Sequence, residues 1–249
     1  MLAPRARSRC IPIAFVWLLV RADALRAGVG DEAACTVSSK AGERCVVDVK
    51  ALHPTQLAIG TRAVERRARD IAEKTLDQRD RLLREKRVPI VVAPGGKLYL
   101  VDRHHLVRAL MLDSIDRTYA TVKANLSSSD DFWGTMTRNG WVLLCDENGR
   151  GPRGPSALPE SIADLKDDPY RSLAASVQDE GGFAKPKHDV LFLEFWWANF
   201  FRSRVEIGSD FEAAISKAKE LALSPEACGL PGYKGSKTGC EPTARRCLP

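Results

Sequence analysis

With 249 residues, 44% of them hydrophobic and 28% charged, the chain is long enough to bury a core and too apolar to be disordered throughout. Its net charge of +6 points to a polyphosphate partner only until the charge is located. Arg5, Arg7, Arg9, Arg21 and Arg26 face the single acid Asp23 in the first 27 residues, and without that segment the balance falls to +2. This excludes a strong general field for a nucleic-acid backbone, so nucleic acid is not the expected partner.

Residues 1–27 have the pattern of a signal or targeting peptide: three arginines, the apolar run "IPIAFVWLLV" (11–20), then small residues with cleavage expected after Ala24 or Ala27. The run is shorter than the roughly 20 residues a membrane span needs, so no span is expected once the leader is removed. The expected destination is the secretory pathway and the extracellular space; the alternative is an organelle reached by a transit peptide. Cys10 leaves with the leader, and the six remaining cysteines are an even number suited to disulfides. Cys35/Cys45 and Cys240/Cys247 bracket short segments, which leaves Cys145 and Cys228, although spacing alone does not choose the connectivity. Asn125-Leu126-Ser127 is a glycosylation sequon.

Residues 28–45 read as a loose polar segment held by a cysteine clip. A strand is expected over 45–52, ended by His53-Pro54, then one long charged helix over 61–87. Its acid-first i,i+4 pairs Glu65/Arg69, Asp70/Lys74, Asp77/Arg81 and Asp80/Arg84 support a solvated face, and Val64, Ala68, Ile71 and Leu82 form its apolar stripe. "VPIVVAP" (88–94) and "KLYLVD" (97–102) read as a hairpin turned by Gly95-Gly96. A helix follows over 104–113, then a strand over 118–126, with helix caps in "SSSDD" (127–131) ahead of Phe132 and Trp133. Residues 146–159 are a turn-rich linker. Beyond it lie a helix with Pro169 in its first turn, an aromatic helix over 189–206, and a third helix opened by Ser209 with Glu212 as a capping box. Trp133, Trp141, Trp196 and Trp197 read as core. The expected organisation is thus a domain over 46–145, the linker, a helical subdomain over 160–235 and a cysteine-containing tail over 236–249.

The chemistry concentrates where strand meets helix, at Asp102-Arg103-His104-His105, which holds two of the four histidines. A helix start offers free backbone N–H groups and the positive end of the helix dipole, an anion site suited to phosphate. Imidazole and guanidinium donors add to it. Asp102 could cap the helix, orient a histidine, hold Mg²⁺ through water or accept a proton from a hydroxyl. Adjacent histidines on a helix diverge by about 100°, which disfavours a zinc site.

The order Pro89-Ile90-Val91-Val92, Gly95-Gly96, Tyr99-Leu100-Val101-Asp102, His104-His105 and Ala109-Leu110, with His53-Pro54-Thr55-Gln56 a helix upstream, resembles the ParB/sulfiredoxin superfamily, and within it the branch of ParB-like nucleases. The resemblance extends over about 46–240 through "SIADLKDDPYRSLA" and "GGFAK". It implies an α/β (α+β) fold: a small mixed sheet with helices in a ParB/sulfiredoxin-like domain, followed by a helical C-terminal half. It also implies nucleotide phosphates at the second box. That box reads Gly-Glu-Arg-Arg in partition proteins, Gly-Cys-His-Arg in sulfiredoxins and Asp-Gly-His-His in a free-serine kinase. Asp102, His104 and His105 match the last, with Arg103 where its glycine stands. No cysteine lies between Cys45 and Cys145, so sulfiredoxin chemistry is not expected. The aromatic helix over 189–206 does not resemble the DNA-reading helices of partition proteins.

By this resemblance Thr55, Gln56, Gly95, Gly96, Arg103 and Arg108 would bind a phosphate or nucleotide. Asp102, His104, His105 and Glu65 would carry the catalysis, with Asp102 also as metal anchor and Glu65 as general base. The expected cofactors are Mg²⁺ and a nucleoside di- or triphosphate, and the expected partner is a small phosphorylated ligand. The functions in view are a nucleotide-dependent phosphotransferase or nucleotide hydrolase, a non-catalytic secreted module that binds nucleotides or anions, and a metal-assisted nuclease.

Overall fold

The computed structural model describes residues 32–186, 190 and 192–236. The leader, Cys10, Cys240 and Cys247 lie outside the described residues. Sequence order gives β1 (Arg44–Asp48), β2 (Leu52–His53), β3 (Ala58–Ile59), α1 (Thr61–Ala72), α2 (Leu76–Glu85), β4 (Val88–Val92) and β5 (Leu98–Leu100). There follow α3 (His104–Leu112), β6 (Arg117–Asn125), α4 (Phe132–Arg138), β7 (Lys166–Asp167), α5 (Pro169–Asp179), α6 (Leu193–Arg202) and α7 (Phe211–Leu223). The fold is the expected mixed α/β arrangement. One five-stranded mixed sheet has the order β1-β6-β4-β5-β2, and a separate parallel pair joins β3 to β7.

β4 occupies the middle of the large sheet, which explains its unbroken apolar run. Val88, Ile90 and Val92 face the core that holds Leu106, Val107 and Leu110 of α3 together with Val64 and Ile71 of α1. Val91 and Ala93 face the opposite way, onto Phe132 and Met136 of α4. The hairpin turns where expected: Gly95 and Gly96 adopt φ of 75° and 79°, left-handed values that glycine adopts without strain.

Three expected elements come out shorter, among them the aromatic helix expected over 189–206, which runs over Leu193–Arg202. The strand over 45–52 ends at Asp48, whose side chain accepts from Lys50 N–H at 2.8 Å and starts a 3-10 turn over Val49–Ala51. The helix over 61–87 is two helices. Thr75 restarts it with a capping box, its hydroxyl taking the Gln78 N–H while the Gln78 side chain takes the Thr75 N–H. Of the four acid-first pairs, Asp80–Arg84 closes at 2.8 Å. α7 is capped by Asp210, which accepts from Ala213 N–H at 3.0 Å, rather than by Ser209.

The N-terminal segment is tied down by more than its clip. Cys35 and Cys45 form a disulfide, and Glu32 takes both terminal nitrogens of Arg87. The Asn125 amide donates to the Val37 and Ser39 carbonyls at 2.8 Å each, so the sequon asparagine is committed to holding this segment. Cys145 and Cys228 are each engaged in a disulfide as well.

The helical half packs directly against the first part of the chain. Its core surrounds the fully buried Trp197, which stacks on Phe183 at 4.1 Å. β3 pairs with β7, while Ile162 and Leu165 belong to the same core as α3. The start of α1 is capped from β7, where Asp167 accepts the Thr61 N–H at 2.8 Å. Gly60 lies between these parts: a Cβ on it would stand 2.6 Å from the Ser172 backbone nitrogen of α5. Gly60→Ala should therefore force α1 and α5 apart and cost about 1–3 kcal/mol, measurable as a lower midpoint in urea denaturation with unchanged slope.

Candidate functional site

A cleft of about 440 Å³ opens where β5 hands over to α3. One wall is the expected box, with Asp102, Arg103, His104 and His105; Gln56 joins it from the first box. The opposite wall comes from the helical half, with Arg171 and Gln178 of α5, Lys185, and Leu193 and Glu194 of α6. Arg67 of α1 lies at one side, and Pro89, Val101, Lys123 and Trp141 continue the cleft along the sheet. No helix among the described residues is long and apolar enough to cross a membrane.

Arg103 is the N-cap of α3, in the left-handed conformation at φ 67°, ψ 29° and without a side-chain cap bond. A non-glycine residue pays about 1 kcal/mol for that backbone. Asp102 does not cap the helix; its Oδ1 accepts the Arg103 N–H at 2.7 Å. Solvent reaches the Asp102 side chain from the cleft. Desolvation by the cleft walls raises its carboxyl pKa, the Arg103 N–H opposes this, and the nearby Glu194 adds to it.

The two histidines turn toward the first box. Nε2 of His104 accepts the Thr55 N–H at 3.2 Å, and the Thr55 hydroxyl donates to the Leu100 carbonyl at 2.7 Å. Nε2 of His105 accepts the Gly60 N–H at 3.3 Å. A ring nitrogen that accepts carries no proton, so each neutral ring holds its proton on Nδ1. Burial, then the charge of Arg171, keep both imidazoles well below their usual pKa; Arg67 and Arg66 add to the effect on His105.

Arg171 is fully buried. It donates to the Ala58 carbonyl of β3 at 2.6 Å and to Glu194 of α6 at 3.1 Å, and stands 3.8 Å over the Phe195 ring. Burial lowers its pKa, and Glu194 and Asp168 oppose the shift. Behind it Asp168, also fully buried, caps α5 and pairs with Arg202 at 2.7 Å. Among the described residues, four buried nitrogens of cleft residues lack a hydrogen-bond partner: Gln56 Nε2, Arg103 Nε, Arg171 Nε and Gln178 Nε2. All four are donors.

The structure thus brings Gln56, Asp102, Arg103, His104 and His105 together at the cleft, with Thr55 buried directly behind His104. Glu65 is exposed on α1, Gly95 and Gly96 form the β4–β5 turn, and Arg108 sits further along α3; none of these four lines the cleft. Arg67, Arg171, Gln178, Lys185 and Glu194 were not singled out from sequence. Arg171 did leave a trace there: it is an arginine in the first turn of a helix whose buried stripe continues through Leu173, Ala174 and Val177. A smaller hollow of about 260 Å³ between α1, α5 and α7 is lined by charges that answer one another, such as Arg66 with Asp179. No group of three His, Cys, Asp or Glu side chains among the described residues is placed to hold a metal ion by itself.

Both histidines have folded-state pKa values lowered below the unfolded value of about 6.5. The unfolded chain takes up their protons first, so stability present above that pH is lost as pH falls below it, by up to about 1.4 kcal/mol per pH unit for each ring. The raised carboxyls of Asp102 and Asp168 work in the opposite sense. Denaturation between pH 7 and about 5.5 should show the loss, and His105→Gln, which keeps an acceptor but cannot protonate, should make the pH dependence shallower.

The family model described as "Putative ParB-like nuclease" matches residues 45–203. Among solved structures, the crystal structure of protein Atu1540 from Agrobacterium tumefaciens is similar at 34% sequence identity and a TM-score of 0.71, covering 78% of this chain and 97% of that one. No curated protein matches the chain. The match across more than half the chain, with the box at the start of α3 inside it, makes this protein a member of the ParB-like nuclease family.

Proposed function

We propose that the cleft binds a nucleotide or a closely related phosphate compound. The observation that carries this is one cleft lined by Gln56, Arg103, Arg171 and Gln178, each of which has a buried side-chain nitrogen without a partner. A buried donor without an acceptor costs about 1–3 kcal/mol, and a ligand rich in anionic oxygens supplies acceptors to several at once. The positive charges of Arg67 and Lys185 and the uncapped start of α3 favour the same ligand.

Mg²⁺ fits this site as a companion of the ligand, since Mg²⁺ commonly takes one or two carboxylates and completes its shell with phosphate oxygens and water. Asp102 and Glu194 are the carboxylates available, and the ion would neutralise phosphate charge there. In phosphotransfer or hydrolysis, Asp102 is the carboxylate placed to take a proton from a hydroxyl or water when Glu194 rather than Asp102 holds the ion. The histidines act one layer back, their Nε2 atoms holding the Thr55 and Gly60 backbone against α3. Binding without turnover is the second reading, favoured by the exposure of Glu65 away from the cleft. The family's description adds metal-assisted cleavage of nucleic acid as a third, tested by incubation with single-stranded DNA and Mg²⁺.

Calorimetric titration of ATP, ADP and CTP with Mg²⁺ tests the proposal. At least one should bind, and Arg103→Gly should weaken it about tenfold or more through loss of a charge-assisted donor. The same variant should gain about 1 kcal/mol of stability by relieving the left-handed backbone. Opposite signs would separate lost binding from lost folding. Absence of binding by all three nucleotides would contradict the proposal.

A further inference from the structure

Beyond the donors at the start of α3, the cleft continues over Pro89, Val101 and Lys123 to Trp141. Trp141 reads as a core residue in the sequence, but its indole is only half-buried against the α4 core and contributes to the cleft wall.

Its backbone is held from both sides. At the end of α4 the Trp141 N–H donates to the Met136 carbonyl and the Gly140 N–H to the Thr137 carbonyl, each at 2.9 Å. Gly140 takes φ 64°, completing a glycine-dependent helix stop. Two residues later the Leu143 N–H donates to the Thr55 carbonyl at 2.8 Å, and Leu143 bridges to Gln56. Trp141 is therefore fixed relative to the first box and to the donor on Gln56.

We propose that Trp141 is the stacking surface for the base of the bound nucleotide, which makes the cleft selective for nucleotides over bare polyphosphates. The inference rests on the phosphate reading of the donor end and adds the other half of the ligand. An inorganic phosphate can use the cations Lys86, Arg87 and Lys123 of this cleft but has no use for the half-buried indole of Trp141. A nucleotide presents a flat π face at one end and acceptor oxygens at the other, matching an apolar indole wall and a cluster of buried donors in one cleft.

The test is calorimetric titration of the full chain with ATP plus Mg²⁺ and, separately, with tripolyphosphate plus Mg²⁺, using wild type, Trp141→Phe and Trp141→Leu. The wild type should bind ATP more tightly than tripolyphosphate. Trp141→Leu should weaken ATP about tenfold or more and leave tripolyphosphate within about twofold, while Trp141→Phe, which keeps an aromatic face, should retain most of the ATP affinity. Equal wild-type affinity for the two ligands, or an equal loss of both in Trp141→Leu, would overturn the role of Trp141 while leaving the phosphate reading intact. Failure of the wild type to bind either ligand would overturn both.

Discussion

The guanidinium of Arg171 is the constraint on which the rest of the site depends. It leaves α5, is fully buried, and ties the Ala58 carbonyl of β3 to Glu194 of α6 while lying over Phe195. Removing such a charge from water costs several kcal/mol, and the cost is recovered only through close partners. Its partners are a carbonyl, one partly exposed carboxylate and an aromatic face, and its Nε has none among the described residues. The protein therefore holds a buried positive charge that is compensated in part, at the wall of a cleft.

That charge also sets the state of the two histidines. With Arg171 beside them and burial around them, both rings are held neutral, which frees each Nε2 to accept a backbone N–H, from Thr55 and from Gly60. These two bonds pin the segments before and after β3 to the start of α3. The same β3 is paired to β7, and Asp167 of β7 caps α1. Charge, tautomer and strand pairing thus form one chain of dependence, and Arg103 completes the donor set from a backbone conformation that glycine would adopt more easily.

The half of the site that was legible in the sequence is the half made by local chemistry. The hairpin, its glycine turn and the helix start at His104 follow from β-branched runs, turn residues and apolar spacing within about twenty residues. The long charged helix expected over 61–87 is two helices because a capping box at Thr75–Gln78 interrupts a pattern whose charges alone look continuous. The other wall, with Arg171, Gln178, Lys185 and Glu194, depends on a parallel pair of two-residue strands, β3 and β7, joined across more than a hundred residues. Strands that short carry no periodicity. The histidine orientation was likewise hidden, since it is decided by which backbone N–H lies opposite, and Trp141 looked like core because burial of an indole in part and in full read alike in a sequence.

The central claim, that the unpartnered donors around Arg171 meet the phosphates of a nucleotide, is tested most directly by a crystal structure of the protein grown with ADP and Mg²⁺. The account predicts phosphate oxygens within hydrogen-bonding distance of Arg103 Nε and Arg171 Nε, with Gln56 Nε2 satisfied by the ligand or by water bridging to it. ADP bound elsewhere on the protein, with those nitrogens still without partners, would contradict it.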